Sequence, residues 1–113
     1  MDKSTVLTFT RNGLGEGPAE LQTLLAVKYL SLLFQSNTFP GAILFYTEGV
    51  KLVCEGSLVL EPLRQLEEQG VKLLVCLTCL EKFELTAKLK VGSIGGMPNI
   101  LKAMQQASQV ISL

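Results

Sequence analysis

The chain has 113 residues, 48% of them hydrophobic and only 18% charged, with ten basic residues balancing ten acidic ones. That length fits one domain, residues 1–113, with a modest core. Zero net charge without a basic block excludes an electrostatic footprint for nucleic acid or an acidic membrane, and the absence of His excludes Cys2His2 zinc ligation, Ser-His-Asp triads and Cys-His dyads within the chain.

Thr5–Thr10 is rich in β-branched residues and predicts a first strand. Arg11–Gly17 is a loop, and Pro18 suits the first turn of a helix running to Phe34. That helix is apolar over a wide arc (Leu21, Leu24, Leu25, Val27, Leu30, Leu32, Leu33, Phe34), which predicts burial on most sides, against a sheet and a neighbouring subunit. Ala42–Tyr46 is a second strand, and Thr47–Gly56 a long loop or a loop with a short helix. Ser57 is a candidate N-cap for a helix through Leu60, Leu63 and Leu66 that ends at Gly70. Val71–Val75 is a third strand, a short helix follows from Cys79 to Lys88, and Lys88–Val91 is a fourth strand. Gly92–Gly96 is a loop, Pro98 opens a last helix with Ile100, Leu101, Met104 and Ala107 inward, and Gln109–Leu113 is a fifth strand. Alternation of this kind predicts an α/β sandwich: a five-stranded, mostly parallel sheet with helices on both faces and the working site in the loops at the carboxyl ends of the strands. The loops beginning at Arg11, Thr47 and Cys76 belong to that edge.

Cys76-Leu77-Thr78-Cys79 is the leading constellation. Two thiols three positions apart at a strand end can share chemistry, and a following helical turn would aim backbone N–H groups at a sulfur and favour thiolate. The competing reading is two small apolar residues in a core; the position at the sheet edge puts chemistry ahead. Cys79, nearer the helix, is the expected reactive thiol, with Cys76 assisting or resolving. One CxxC falls short of the four ligands of a structural zinc site, so no metal and no cofactor is expected. Three Cys, an odd number, and no signal peptide point to free thiols in a reducing cytoplasm. The apolar stretch Leu21–Phe34 is too short to cross a membrane.

Gly13-Leu14-Gly15-Glu16-Gly17 follows a strand and precedes a helix, but its spacing is G-x-G-x-G, and Glu16 would repel phosphate. A tight turn with close helix–strand packing outweighs a dinucleotide loop, although backbone N–H groups of Gly13 and Gly15 suit a small anion. Glu48 and Lys51 are either site-edge charges, Lys51 lowering a nearby thiol, or solvated loop charges. Cys54 reads as structural.

Several segments together resemble a known family: Asn12-Gly13-Leu14-Gly15, Ile43–Leu52 with its Tyr46-Thr47-Glu48-Gly49-Val50-Lys51, Glu55-Gly56-Ser57, Leu66–Val71 running into Cys76-Leu77-Thr78-Cys79-Leu80, and Leu89–Ile94. The chain is similar, over nearly its whole length, to the DsrE-like domain of YedF-type proteins, described as sulfurtransferase-like and linked to selenium metabolism. The resemblance implies a five-stranded, largely parallel sheet, a homo-oligomer, and a persulfide relay with the sulfur carried on Cys79 or Cys76. Asn12, Gly13, Gly15, Glu48, Gly49, Lys51 and Thr78 complete the candidate site as binding residues. Two departures stand out: Leu77 replaces the Gly usual between the thiols, and Gly96-Met97 replaces an Asn-Met pair. A small domain with a Cys-Pro motif normally precedes this one, so the sulfur donor or acceptor is expected to be a separate protein.

The sequence thus predicts a small cytoplasmic sulfur-relay protein. The alternative is a non-catalytic binding or assembly subunit whose pocket, at the carboxyl edge, holds a small anion or a partner loop.

Overall fold

The computed structural model describes residues 1–113. Five parallel strands, β1 (Thr5–Phe9), β2 (Ala42–Phe45), β3 (Lys72–Cys76), β4 (Ser93–Gly95) and β5 (Gln109–Ser112), form one sheet in the order β4-β3-β2-β1-β5. Four α-helices connect or flank them: α1 (Ala19–Ser36), α2 (Leu60–Glu68), α3 (Leu77–Lys82) and α4 (Met97–Gln106). Each crossover from β1 to β4 steps the same way across the sheet, and α1 and α2 accordingly pack side by side. The return from β4 to β5 spans the sheet in the opposite direction, which places α4 on the other face under the right-handed crossover rule. There Asn99 and Ala103 of α4 border a shared cleft with Leu44 and Leu74.

The three central strands are buried on both faces almost throughout, so their sequences are predominantly apolar or β-branched instead of alternating with charged residues. One core results. It joins Leu7, Phe9, Ile43, Phe45, Leu73 and Val75 of the sheet to Leu30, Leu63, Leu66, Leu80 and Ile100 of the helices. Phe9 and Phe45, paired in register on β1 and β2, stack with ring centroids 5.7 Å apart.

The elements fall close to the predicted ones, with three differences. The fourth strand lies at Ser93–Gly95, not at Lys88–Val91. The 88–91 segment is bonded elsewhere: Leu89 bridges Cys54 in antiparallel fashion, Lys90 N–H donates to Val53 O at 2.9 Å, and Glu55 N–H donates to Lys88 O at 2.9 Å. Gly92, at φ 88°, then turns the chain into the sheet. The short helix begins at Leu77 and ends at Lys82, two residues ahead of Glu84 in the left-handed region (φ 57°), and Thr86–Lys88 is a single 3-10 turn. The first helix is not buried on most sides. Only Ala26, Leu30 and Leu33 form its inner stripe, while Leu21, Leu24, Leu25 and Leu32 face outward. Because apolar side chains occupy both its inner and outer faces, the sequence carries little amphipathic contrast.

Ser57 acts just ahead of its helix: its Oγ accepts the Val59 N–H at 3.2 Å, in a turn that delivers the chain to Leu60. Gly70 ends α2 in the left-handed conformation, φ 94°. No helix is long and apolar enough to cross a membrane.

Candidate functional site

At the carboxyl edge, β3 runs directly into α3 without an intervening loop. Cys76 is the last residue of β3, in register with Gly95 of β4, and is 1% exposed. Cys79 lies in the first turn of α3 and is half-buried. The two thiols are close enough to interact directly.

The neighbouring strand supplies the other contact. β2 ends at Phe45, and Tyr46 N–H donates to Phe9 O at 3.2 Å, which ties the exit of β2 to that of β1. Thr47 then adopts φ 52° and its N–H donates to Cys79 Sγ at 3.0 Å. A β-branched residue in the left-handed region stores conformational strain, of the order of 1–3 kcal/mol. Here the strained backbone aims a donor at a sulfur. From Thr47 to Val53 the chain forms a 3-10 segment that buries Val50, Leu52 and Val53, so the donor sits on a braced platform.

The electrostatic result differs from the expectation of a thiolate. Burial pushes the Cys79 thiol above its ordinary range; the Thr47 N–H opposes that shift, and the adjoining Cys76 thiol adds to it. The helical turn expected to favour thiolate is only the start of a six-residue helix, and the backbone donor on the sulfur comes from the 3-10 segment after β2 instead. Lys51 is engaged by other side chains. Its ammonium lies 3.6 Å from Glu48 Oε1 and 4.8 Å from the centroid of the Phe83 ring.

The remaining candidates divide into separate groups. Thr78 and Glu48 are exposed beside the thiol turn. Gly49 is buried where an added Cβ would strike the Phe9 carbonyl, which gives that glycine a packing reason. Gly13 and Gly15 belong to a turn closed on α1: Leu14 N–H donates to Gln22 O at 3.0 Å, and Gln22 Nε2 donates to Gly15 O at 2.7 Å. At Gly13, φ 150°, an added Cβ would come within 2.5 Å of Gln22 Cβ. This is the tight-turn geometry. Asn12 and Lys51 meet at a different feature, a cavity of about 550 Å³ bordered also by Glu55, Leu58, Val59 and Phe83, with neither thiol of the pair on its wall. Cys54 is buried, its Sγ donating to Val50 O at 3.2 Å, and burial raises its thiol as well. No group of three or more Cys, Asp and Glu side chains gathers where it could hold a metal ion.

Thr47 was not among the sequence candidates. A threonine two residues past an apolar strand gives no sign of a left-handed conformation; the pairing of β2 with β3 sets their exits side by side, and the turn after β2 brings the Thr47 donor to the sulfur.

An all-parallel α/β sandwich with a thiol pair where the third strand meets its helix defines the class of protein. The chain belongs to the DsrE/DsrF-like family, whose profile matches residues 15–113. Among solved structures it is similar to the YchN protein from E. coli, at 18% identity and TM-score 0.71, covering 100% of both chains. It is also similar to MTH1491 from Methanobacterium thermoautotrophicum, a protein of unknown function, at 18% identity and TM-score 0.70, covering 96% of this chain and 97% of that one. BT1422 from Bacteroides thetaiotaomicron, likewise of unknown function, aligns at 14% identity and TM-score 0.63 over 97% and 95% of the two chains. At such identities the likeness shows the fold alone. No curated protein matches the sequence significantly.

Proposed function

We propose that the protein carries sulfane sulfur as a persulfide on Cys79. The supporting observation is the Thr47 N–H donated to Cys79 Sγ at 3.0 Å from a backbone held in the left-handed region. A donor fixed on Sγ stabilises the thiolate that attacks the donor persulfide and that is returned when the outer sulfur leaves.

In the transfer step Cys79 thiolate attacks the outer sulfur of a donor persulfide. A Cys79 Sγ–S bond forms, the donor S–S bond breaks, and the donor leaves as thiolate, with no net oxidation. An acceptor thiolate then takes the outer sulfur and returns Cys79 as thiolate. Cys76, buried behind it, has a second route: attack on Cys79 Sγ expels hydrosulfide and leaves a Cys76–Cys79 disulfide. Donor and acceptor are separate proteins in this proposal, and the exposed Leu21, Leu24, Leu25 and Leu32 of α1 support self-association.

Intact-mass spectrometry after incubation with a low-molecular-weight persulfide tests the reading. One added sulfur is expected on the wild-type chain and on Cys76→Ser, and none on Cys79→Ser. The absence of any adduct on Cys79 in the wild type overturns it. Alkylation of Cys79 is expected to be slower at neutral pH than for a free model thiol and to keep accelerating as pH rises past the ordinary thiol range. The sign follows from the raised folded-state value: protonated thiol persists to higher pH, and thiolate is the reactive form.

A further inference from the structure

The cavity at the carboxyl edge is a feature distinct from the thiol pair. It has a volume of about 550 Å³, in the range of small-ligand clefts. It opens between the β1–α1 loop, the 3-10 segment after β2 and the turn after α3, with Val59 and Phe83 on its apolar wall. Leu58 stands at its margin, 72% exposed, the most exposed large apolar side chain of the molecule. A leucine so exposed would gain apolar contact from an occupant of the cavity.

The charges at the rim narrow the occupant. Lys51 and Glu55 contribute one charge of each sign, and the Asn12 amide adds a donor and an acceptor. Lys51 is held in position by the Phe83 ring beneath its ammonium, and Glu48 already balances part of its charge from outside the cavity. A bare anion would therefore meet an ammonium already part-balanced by Glu48 and, at Glu55, a carboxylate of its own sign. A ligand carrying both signs meets a partner for each.

We propose that this cavity binds a small zwitterion with an apolar body, the chemical class of an apolar α-amino acid. Its carboxylate faces Lys51, its ammonium faces Glu55, and its side chain lies on Val59 and Phe83 under Leu58. The proposal is independent of persulfide chemistry, since neither Cys76 nor Cys79 lines the cavity.

Titration of the full chain with L-leucine, followed by calorimetry and by amide NMR shifts of residues 51–59 and Phe83, tests it. Leucine is expected to bind, in the wild type and equally in Cys76→Ser/Cys79→Ser. Lys51→Met and Glu55→Gln, each confirmed as folded by its melting curve, are expected to weaken binding by about tenfold or more, as are the analogues lacking one charge, isoamylamine and 4-methylpentanoate. No binding of leucine up to about 10 mM overturns the proposal. So does leucine affinity unchanged in both charge variants, or inorganic phosphate binding as tightly as leucine.

Discussion

The turn leaving β1 and the turn leaving β2 stand side by side at the same edge of the sheet, and both must bend the chain sharply. The first meets that demand with glycine: Gly13, Gly15 and Gly17 have φ values of 150°, 76° and 158°. Its Leu14 N–H and Gly15 C=O are both bonded to Gln22, which closes the turn on α1. The second places a threonine at φ 52° and directs its N–H outward, at Cys79. A turn that only has to bend can use the residue with the least strain. A turn whose backbone carries a donor to a neighbouring sulfur tolerates strain because its neighbours, the buried 3-10 segment and the Tyr46 N–H bond to Phe9, hold it there.

Gly49→Ala tests the bracing of the second turn and has the largest expected effect. The new methyl would overlap the Phe9 carbonyl, and backbone cannot swing aside as a side chain can. A loss of about 3 kcal/mol in urea unfolding is expected; a loss below about 0.5 kcal/mol would show that the turn is soft. Thr47→Gly separates strain from function. Relief of the left-handed conformation, less the added freedom of glycine in the unfolded chain, should raise stability by about 0.5–1 kcal/mol. The same change should weaken the hold on the donor, so the pH at which Cys79 alkylation reaches half its maximal rate should move upward. Unchanged stability and an unchanged profile would remove Thr47 from the site. The smallest effect is expected in the first turn. Glu16→Gln deletes the Arg11–Glu16 ion pair, 3.0 Å long but with the carboxylate 83% exposed, and should shift stability by no more than about 0.5 kcal/mol. A larger loss would mean that charge, and not the Gln22 bonds, holds the glycine turn.

Much of the fold could be read along the chain because its strands are buried on both faces. Continuous runs such as Ala42–Phe45 and Lys72–Cys76 stand out against the polar and glycine-rich segments beside them. The fourth strand did not stand out. Lys88–Val91 has stronger β character than Ser93-Ile94-Gly95, yet it pairs with Val53–Glu55, while the weaker segment takes the sheet edge. Gly95 lies close against β3, where a Cβ would fall 2.6 Å from Leu74 Cδ1 and the leucine would have to shift, a tertiary contact that strand propensity does not register. The leucines of α1 could not be divided between core and interface along the sequence: periodicity separates an apolar face from a polar one, and a helix apolar on two faces gives it no contrast to use.

For the site, residue types and spacing alone located the two thiols at a strand end on the carboxyl edge, and they predicted the parallel sheet that puts that edge to work. These are properties of short, contiguous segments. Which thiol is reachable, the direction in which burial shifts it, the Thr47 donor, and the seating of Lys51 over the Phe83 ring were decided by tertiary structure. Each depends on how β1, β2 and β3 are set beside one another, and distances between residues some thirty positions apart are fixed by packing, not by local sequence.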